Sequence, residues 1–368
     1  MSRRARIVVL RGHNANPWEL RPWELLRDEF DVSVLVTNSN RYDLEDLELP
    51  VIRGSALRDR LPRGRVGELA SRVPGDRYGD LERHLSGANI VHSAELGVWF
   101  SGQPAALKER LGYALVLTVW ETIPLGGTFR ARRGRGYRHE ALARADLFLA
   151  ATERARRCLL LEGADPARIE VSHPGVDVER FRSAQVEPAG EHLVVSPGRL
   201  VWEKGHYDVI RALATLRRPP RLLLVGAGPE RKRLLRYADE LGLGGRVEVR
   251  HVPHAEMPAV FAAASCVVLG SLSIPLWEEQ FGMVLAEALA AGATVLASSS
   301  GAIPEVLGAD ATLFAPGDWL GLARLLEAGP LARPLGQRAQ HDPELVRRYS
   351  LEAAAERLTA AYRRVLAR

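Results

Sequence analysis

The segment "EQFGMVLAEALA" (279–290) carries two carboxylates, Glu279 and Glu287, with seven residues between them. From Gly282 to Ala291 the run is almost wholly apolar, so it predicts a helix buried on most sides. A carboxylate inside it is costly unless it is paired or hydrogen-bonded. The helix follows a predicted strand, and its first amides, near Gly282, Met283 and Val284, point beyond that strand's carboxyl end, where open α/β sheets bind ligands. Helix starts favour anions, and Gly282 lets a ligand come close to the backbone. Glu287, one turn on, turns back toward the same space, and Glu279 reaches it from the loop before Phe281. The pair is placed to bracket a polyhydroxylated, negatively charged ligand. The other use of the same residues is a solvated Glu279 and a Glu287 paired with a core arginine, and the segment alone does not choose between them.

A second constellation lies at "SPGRLVWEKG" (196–205), where Gly198 and Arg199 follow a predicted strand and Lys204 precedes Gly205 and a helix. Arg199 offers a planar fork to phosphate oxygens and Lys204 a point charge, which together neutralise a diphosphate without metal. Their loop lies at the same sheet edge as residues 279–284. "VGAGPER" (225–231) adds Gly226 in a third strand-to-helix turn at that edge, although it lacks the full dinucleotide-binding spacing.

The elements that must position these groups are parallel strands joined by crossover helices, because short apolar, β-branched runs alternate with longer amphipathic ones. Strands are expected at 6–10, 31–36, 89–93, 114–120, 147–152 and 169–173, then at 192–198, 221–226, 246–250, 266–271 and 294–298. Helices are expected near 17–29, 102–111, 134–144 and 153–162, then near 204–217, 228–241, 255–264, 282–291 and 303–307. The polar stretch 181–192, with Pro188 and Gly190, separates the two strand sets and reads as a hinge. At 368 residues the chain is too long for one ordinary core, which also argues for two α/β domains. The last helix has an apolar stripe at Leu351, Ala355, Leu358, Ala361, Tyr362 and Leu366.

"GRLVWEKG", "LLLVGAGPE", "EQFGMVLAEALAAGATVLAS" and "GAIPEVL", in this order, resemble the donor-binding half of family 4 (group 1) retaining glycosyltransferases of the GT-B fold. "ARADLFLAATERAR" and "IEVSHPGVDVERF" extend the resemblance into the first half. It implies two facing Rossmann-like domains: residues 1–185 for an acceptor, residues 186–347 for a nucleotide sugar, and a helix at 348–368 that crosses back to the first domain. It further implies that Arg199 and Lys204 hold the donor diphosphate and stabilise the departing nucleotide, and that Glu279 contacts the donor sugar. Gly198, Gly226, Phe281, Gly282, Met283 and Val284 would line the donor, Glu287 would hold the ribose hydroxyls, and Val252, beside His251, would lie near the base. A usual glycine is replaced by His251, which leaves the base open. The strand ending "LVLTVWETIP" carries Trp120 and Glu121 where the family often has a histidine, so Glu121 is a candidate polar contact or nucleophile, against plain structural pairing.

On the acceptor side the candidates are Gly12, His13 and Asn14 after the first strand, His92 at another strand end, where a lone histidine is more often structural, and Trp120. Trp18 and Trp23, beside Arg21 and Arg27, have the character of interfacial anchors, though half-buried packing is the commoner use. The rivals to a transferase are a GT-B epimerase or hydrolase acting on sugar nucleotides, and an inactive protein that binds them. A net charge of +5 suits an anionic substrate or membrane surface, but no dense basic block with interleaved aromatics points to nucleic acid. Two distant cysteines support neither a disulfide framework nor a zinc site and suggest a reducing cytoplasm. The apolar run after "MSRRA" is too short for a signal peptide or a spanning helix, so a cytoplasmic protein with at most peripheral membrane contact is expected. No metal or cofactor is called for.

Overall fold

The structure is a computed structural model that describes residues 4–61, 76–126, 132–186, 190–309 and 311–368. The chain divides into two compact units, Met1–Gly175 with Leu351–Arg368, and Val176–Ser350. The first holds a seven-stranded parallel sheet in the order β3-β2-β1-β4-β5-β6-β7. Its strands are β1 (Arg6–Leu10), β2 (Asp31–Thr37), β3 (Val51–Gly54), β4 (Ile90–Ala94), β5 (Ala114–Val119), β6 (Leu147–Ala150) and β7 (Ile169–Val171). Most are apolar on both faces because helices cover both, which is why they read as continuous hydrophobic runs. On one face the helix Leu351–Leu366 packs on the 3-10 turn Arg21–Leu26, burying Ala355, Leu358, Ala361, Tyr362 and Val365 with Leu20, Trp23 and Leu26. Leu366, expected in that stripe, is exposed, and Val365 takes the inward position.

The second unit is a six-stranded parallel sheet, β10-β9-β8-β11-β12-β13. Its strands are β8 (Leu193–Pro197), β9 (Arg221–Val225), β10 (Val247–Arg250), β11 (Cys266–Leu269), β12 (Val295–Ser298) and β13 (Thr312–Phe314). From the central β8 the chain proceeds outward through β9 and β10, then returns to β11 on the other side of β8. That reversal makes the gap between the ends of β8 and β11 the switch point of the sheet.

Several expectations are corrected. The first unit ends at Gly175 rather than 185, because the helix Val178–Arg182 packs on the helices Met257–Ala263 and Met283–Ala290 of the second. The polar stretch 181–192 therefore lies inside the second unit, with 187–189 outside the described residues, and is not the crossing point. The crossings fall at 175/176 and 350/351, where Val176 pairs with Ser350 and the Val176 amide donates to Tyr349 O at 2.7 Å. The helix expected over 17–29 is one α-turn, Pro17–Leu20, capped by Asn16, followed by the 3-10 turn, since Pro22 removes an N–H from the ladder. The strands β3 and β13 and the helices Leu81–Leu85, Trp319–Ala328 and Pro343–Arg348 are additions to the expected set. No helix among the described residues is long and apolar enough to cross a membrane.

Candidate functional site

In the second unit the loops leaving β8 and β11 run side by side. The Leu272 amide donates to Glu203 O at 2.8 Å, and Gly205 is so close to Gly270 that a Cβ on it would lie 1.8 Å from the Gly270 carbonyl oxygen. Gly226 (φ 153°) is likewise forced to be glycine, since its Cβ would lie 2.0 Å from Gly198 O. This packing brings Lys204 of one loop to Glu279 of the other. Lys204 Nζ donates to Glu279 Oε2 at 2.6 Å, with the side chains 14% and 9% exposed, and Ser271 Oγ donates to the same oxygen at 2.6 Å. The Lys204 ammonium also lies 5.3 Å from the centre of the Trp277 ring. Ser300 Oγ accepts from the Glu279 amide and donates to Leu272 O, so both sides of the second loop are tied down.

His206 holds the first loop from below. Its Nε2–H donates to Arg199 O and its Nδ1 accepts from Ser196 Oγ, and burial pulls it down to about 4, so the ring is neutral. Arg199 itself is exposed, and its guanidinium makes no hydrogen bond or ion pair to a described residue. Beyond Glu279, Gly282 (φ 79°) precedes the helix Met283–Ala290 and supplies no side-chain cap, leaving the first amides open. Phe281 is fully buried on the Tyr349 ring, so its side chain serves packing rather than ligand contact. Val252 is half-buried on the loop after β10.

Glu287 is 7% exposed and is bound, not by an arginine, but by His254, whose Nε2 lies 2.8 Å from Glu287 Oε1. Sequence reasoning missed both His254 and His206. The buried carboxylate announced the need for a partner, but His254 is 33 residues away in sequence.

The acceptor-side candidates separate in the first unit. His92 is completely buried and burial holds it well below its ordinary value; its Nδ1 shares a hydrogen bond with Tyr362 Oη and its Nε2 one with Thr118 Oγ1. It joins the last helix to the sheet and offers nothing to a ligand, which corrects the expectation. Gly12 is small because a Cβ would press on the Phe100 ring at 2.8 Å. His13 is enclosed by Asp76, Ser39 and Thr37, so its ring nitrogens are spent, while Asn14 is exposed. Trp23 donates its indole N–H to Tyr362 Oη and Trp18 lies edge-on to Tyr42, so both tryptophans pack.

Trp120 lines a pocket at the carboxyl edge of β1, β5 and β7, together with Arg11, Glu19, Trp23, Thr118 and His173. Glu121 turns back on its own chain, accepting from the amides of Thr122 and Ile123 at 3.0 Å each, which fits a turn-former better than a nucleophile. Its neighbour Glu95 has a left-handed backbone (φ 65°) and accepts from the Trp120 amide at 2.8 Å. Burial, with the adjacent Glu121 adding to it, pushes the Glu95 carboxyl up to about 7. Among the described residues no group of three or more His, Cys, Asp or Glu is placed to hold a metal ion.

Two Rossmann-like parallel sheets, the second with basic, glycine-lined loops at its switch point, place the chain in the GT-B fold class. It superimposes on Anabaena HepE, solved with UDP and glucose, with a TM-score of 0.72 at 19% identity over 97% of this chain and 99% of that one. Sucrose-phosphate synthase from Thermosynechococcus elongatus gives 0.76 at 22% over 99% and 100%. The family follows from the sequence: residues 23–180 match the model described as Glycosyltransferase Family 4, residues 177–340 match Glycosyl transferases group 1, and the chain belongs to this family. It is 32% identical over 312 residues to D-inositol 3-phosphate glycosyltransferase of Mycobacterium tuberculosis, covering 76% of this chain. The chain spans 62% of the length of that relative.

Proposed function

We propose that the protein is a retaining glycosyltransferase that moves a sugar from a nucleoside diphosphate sugar to a hydroxyl acceptor, with no metal or other cofactor. The observation that carries this reading is the Lys204–Glu279 pair at the switch point, beside the uncapped start of the helix Met283–Ala290. An anionic diphosphate fits against Lys204, the exposed Arg199 and the amides of Met283 and Val284. Glu279, its carboxylate fixed by Lys204 and Ser271, accepts hydroxyls of the donor sugar, and Glu287 takes the ribose diol. As the bond from the anomeric carbon to the diphosphate breaks, negative charge grows on the leaving group, and these fixed positive groups stabilise it without reorganising. The acceptor oxygen bonds to the same face of the anomeric carbon, and its proton passes to the departing phosphate. For the acceptor we propose the pocket at Trp120 within the first unit, whose mix of aromatic, Arg11 and Glu19 groups suits a polyol of the kind named in the mycobacterial relative.

The test is a thermal-shift screen against UDP-, GDP-, ADP- and TDP-sugars in the presence of EDTA, since a ligand bound only by the native state raises the melting temperature. One donor is expected to stabilise the protein, and Glu287→Ala should abolish that shift. Transfer of radiolabel from that donor to added polyols then completes the assignment. Binding without any turnover would favour an inactive nucleotide-sugar-binding protein, and donor turnover without acceptor an epimerase or hydrolase. If no donor stabilises the protein while Glu287→Ala lowers its melting temperature, the carboxylate is structural.

A further inference from the structure

A carboxylate that grips a diol must be held still while one oxygen stays open. Glu287 has that arrangement, and the group that holds it is defined down to its proton. Arg180 Nη2 lies 3.0 Å from His254 Nδ1. A guanidinium only donates, so Nδ1 must carry a lone pair and the ring proton must sit on Nε2. Nε2–H then donates to Glu287 Oε1 at 2.8 Å. Arg180 is fixed in turn: its guanidinium lies 4.9 Å from the centre of the Phe181 ring, and that ring packs on Phe261 at 5.9 Å and on His254 at 6.1 Å. Oε1 is thereby committed, while Oε2 makes no hydrogen bond to a described residue.

We infer that His254 and Arg180 are positioning residues for Glu287: they orient its open oxygen toward the ribose diol of the nucleotide and so set a preference for ribo- over 2′-deoxyribonucleotides. The inference rests on the reading of Glu287 as the ribose group. Arg180 Nη2 also donates to the His254 carbonyl oxygen at 3.4 Å, which holds the backbone; its hold on Glu287 runs through the tautomer of His254, since without the guanidinium the imidazole can place its proton on Nδ1 and withdraw the bond to Glu287. Groups that hold the tautomer of a metal-binding histidine act in this way, and the same logic applies to a histidine that holds a carboxylate.

The experiment is isothermal titration of the full chain with UDP, ADP and GDP and with their 2′-deoxy counterparts. His254→Ala should weaken the ribonucleotide that binds by about tenfold, the loss expected for a hydrogen bond to a charged group, and weaken its deoxy counterpart by about twofold at most. His254→Gln, whose amide N–H still donates, should recover most of the affinity. Arg180→Met should weaken binding in the parent and have a clearly smaller effect in the His254→Gln background, because glutamine has no tautomer to fix and only the bond to the residue-254 carbonyl is lost. Equal losses for ribo- and deoxyribonucleotides, or an Arg180→Met effect as large beside His254→Gln as in the parent, would overturn the inference and leave a plain packing role. Glu287→Ala separates the two levels: unchanged nucleotide affinity in that variant, or no binding by the parent, removes the ribose reading itself and the inference with it.

Discussion

Replacing Lys204 by methionine keeps a side chain of nearly the same length and removes one charge. The ammonium lies 2.6 Å from Glu279 Oε2, and both side chains are nearly buried, so the variant leaves a carboxylate whose remaining side-chain partner is Ser271. Removing one member of a buried pair costs about 3–5 kcal/mol, and with Ser271 still donating we expect the lower end, about 3 kcal/mol. For a unit of this size that corresponds to a fall in melting temperature of roughly 6–12 °C. The effect on the reaction is separate: losing one preorganised charge at a developing anion costs about 10²–10³ in kcat. The double variant Lys204→Met/Glu279→Gln has no unpaired charge, so it should regain most of the lost stability while kcat stays low. The assay is donor turnover under saturating acceptor, with thermal unfolding of the parent and both variants. A single variant whose kcat stays within about threefold of the parent's would refute the catalytic argument. A double variant no more stable than the single one would refute the burial argument.

Three further outcomes are expected. Burial pulls His206 down to about 4, so below the ordinary value of 6.5 the unfolded chain takes up a proton that the folded chain refuses. Stability is then full above pH 6.5 and falls by roughly 3 kcal/mol as pH drops toward 4; urea midpoints across this range measure it, and His206→Gln should flatten the slope. Glu95 has the opposite sign. Burial raises its carboxyl to about 7, so the folded chain keeps a proton that the unfolded chain loses, and stability falls as pH rises from about 4.5 to 7. Glu95→Gln should therefore be more stable than the parent at pH 8, and a destabilised variant there would contradict the account. Tyr362→Phe removes the hydroxyl shared by the Trp23 indole and His92, leaving buried polar groups short of a partner, and should cost about 2 kcal/mol in chemical unfolding.

The central strands were legible because a parallel strand buried on both faces must be a continuous apolar run, as at "RIVVL" and "RLLLV". The edge strands were not: "VIRG" and "TLF" are too short to stand out from loop residues. At the site, Glu287 reads as a polar group in an apolar element and His92 as one at the end of an apolar strand. In His92 the partner is the last helix, and in Glu287 it is a histidine with an open carboxylate oxygen beside it. Such a signal states that a partner is needed and is silent on whether a ligand shares it. Lys204 and Glu279 were each read as ligand contacts, but their mutual pairing depends on β8 lying beside β11, a fact of topology that neither local segment contains.

The return of the last helix, with its Tyr362 hydroxyl, to the first unit also bears on the order of events during synthesis. The first unit is interrupted after Gly175 and completed only by Leu351–Arg368, so the ribosome must make the whole of Val176–Ser350 before the last helix emerges. At about 5–20 residues per second this leaves the nascent first unit without that helix for roughly 9 to 35 s. Throughout that interval Leu20, Trp23, Leu26 and His92 lack the surface that buries and bonds them. The second unit, continuous in sequence and with its ends tied at Val176 and Ser350, is thus the one equipped to finish folding first.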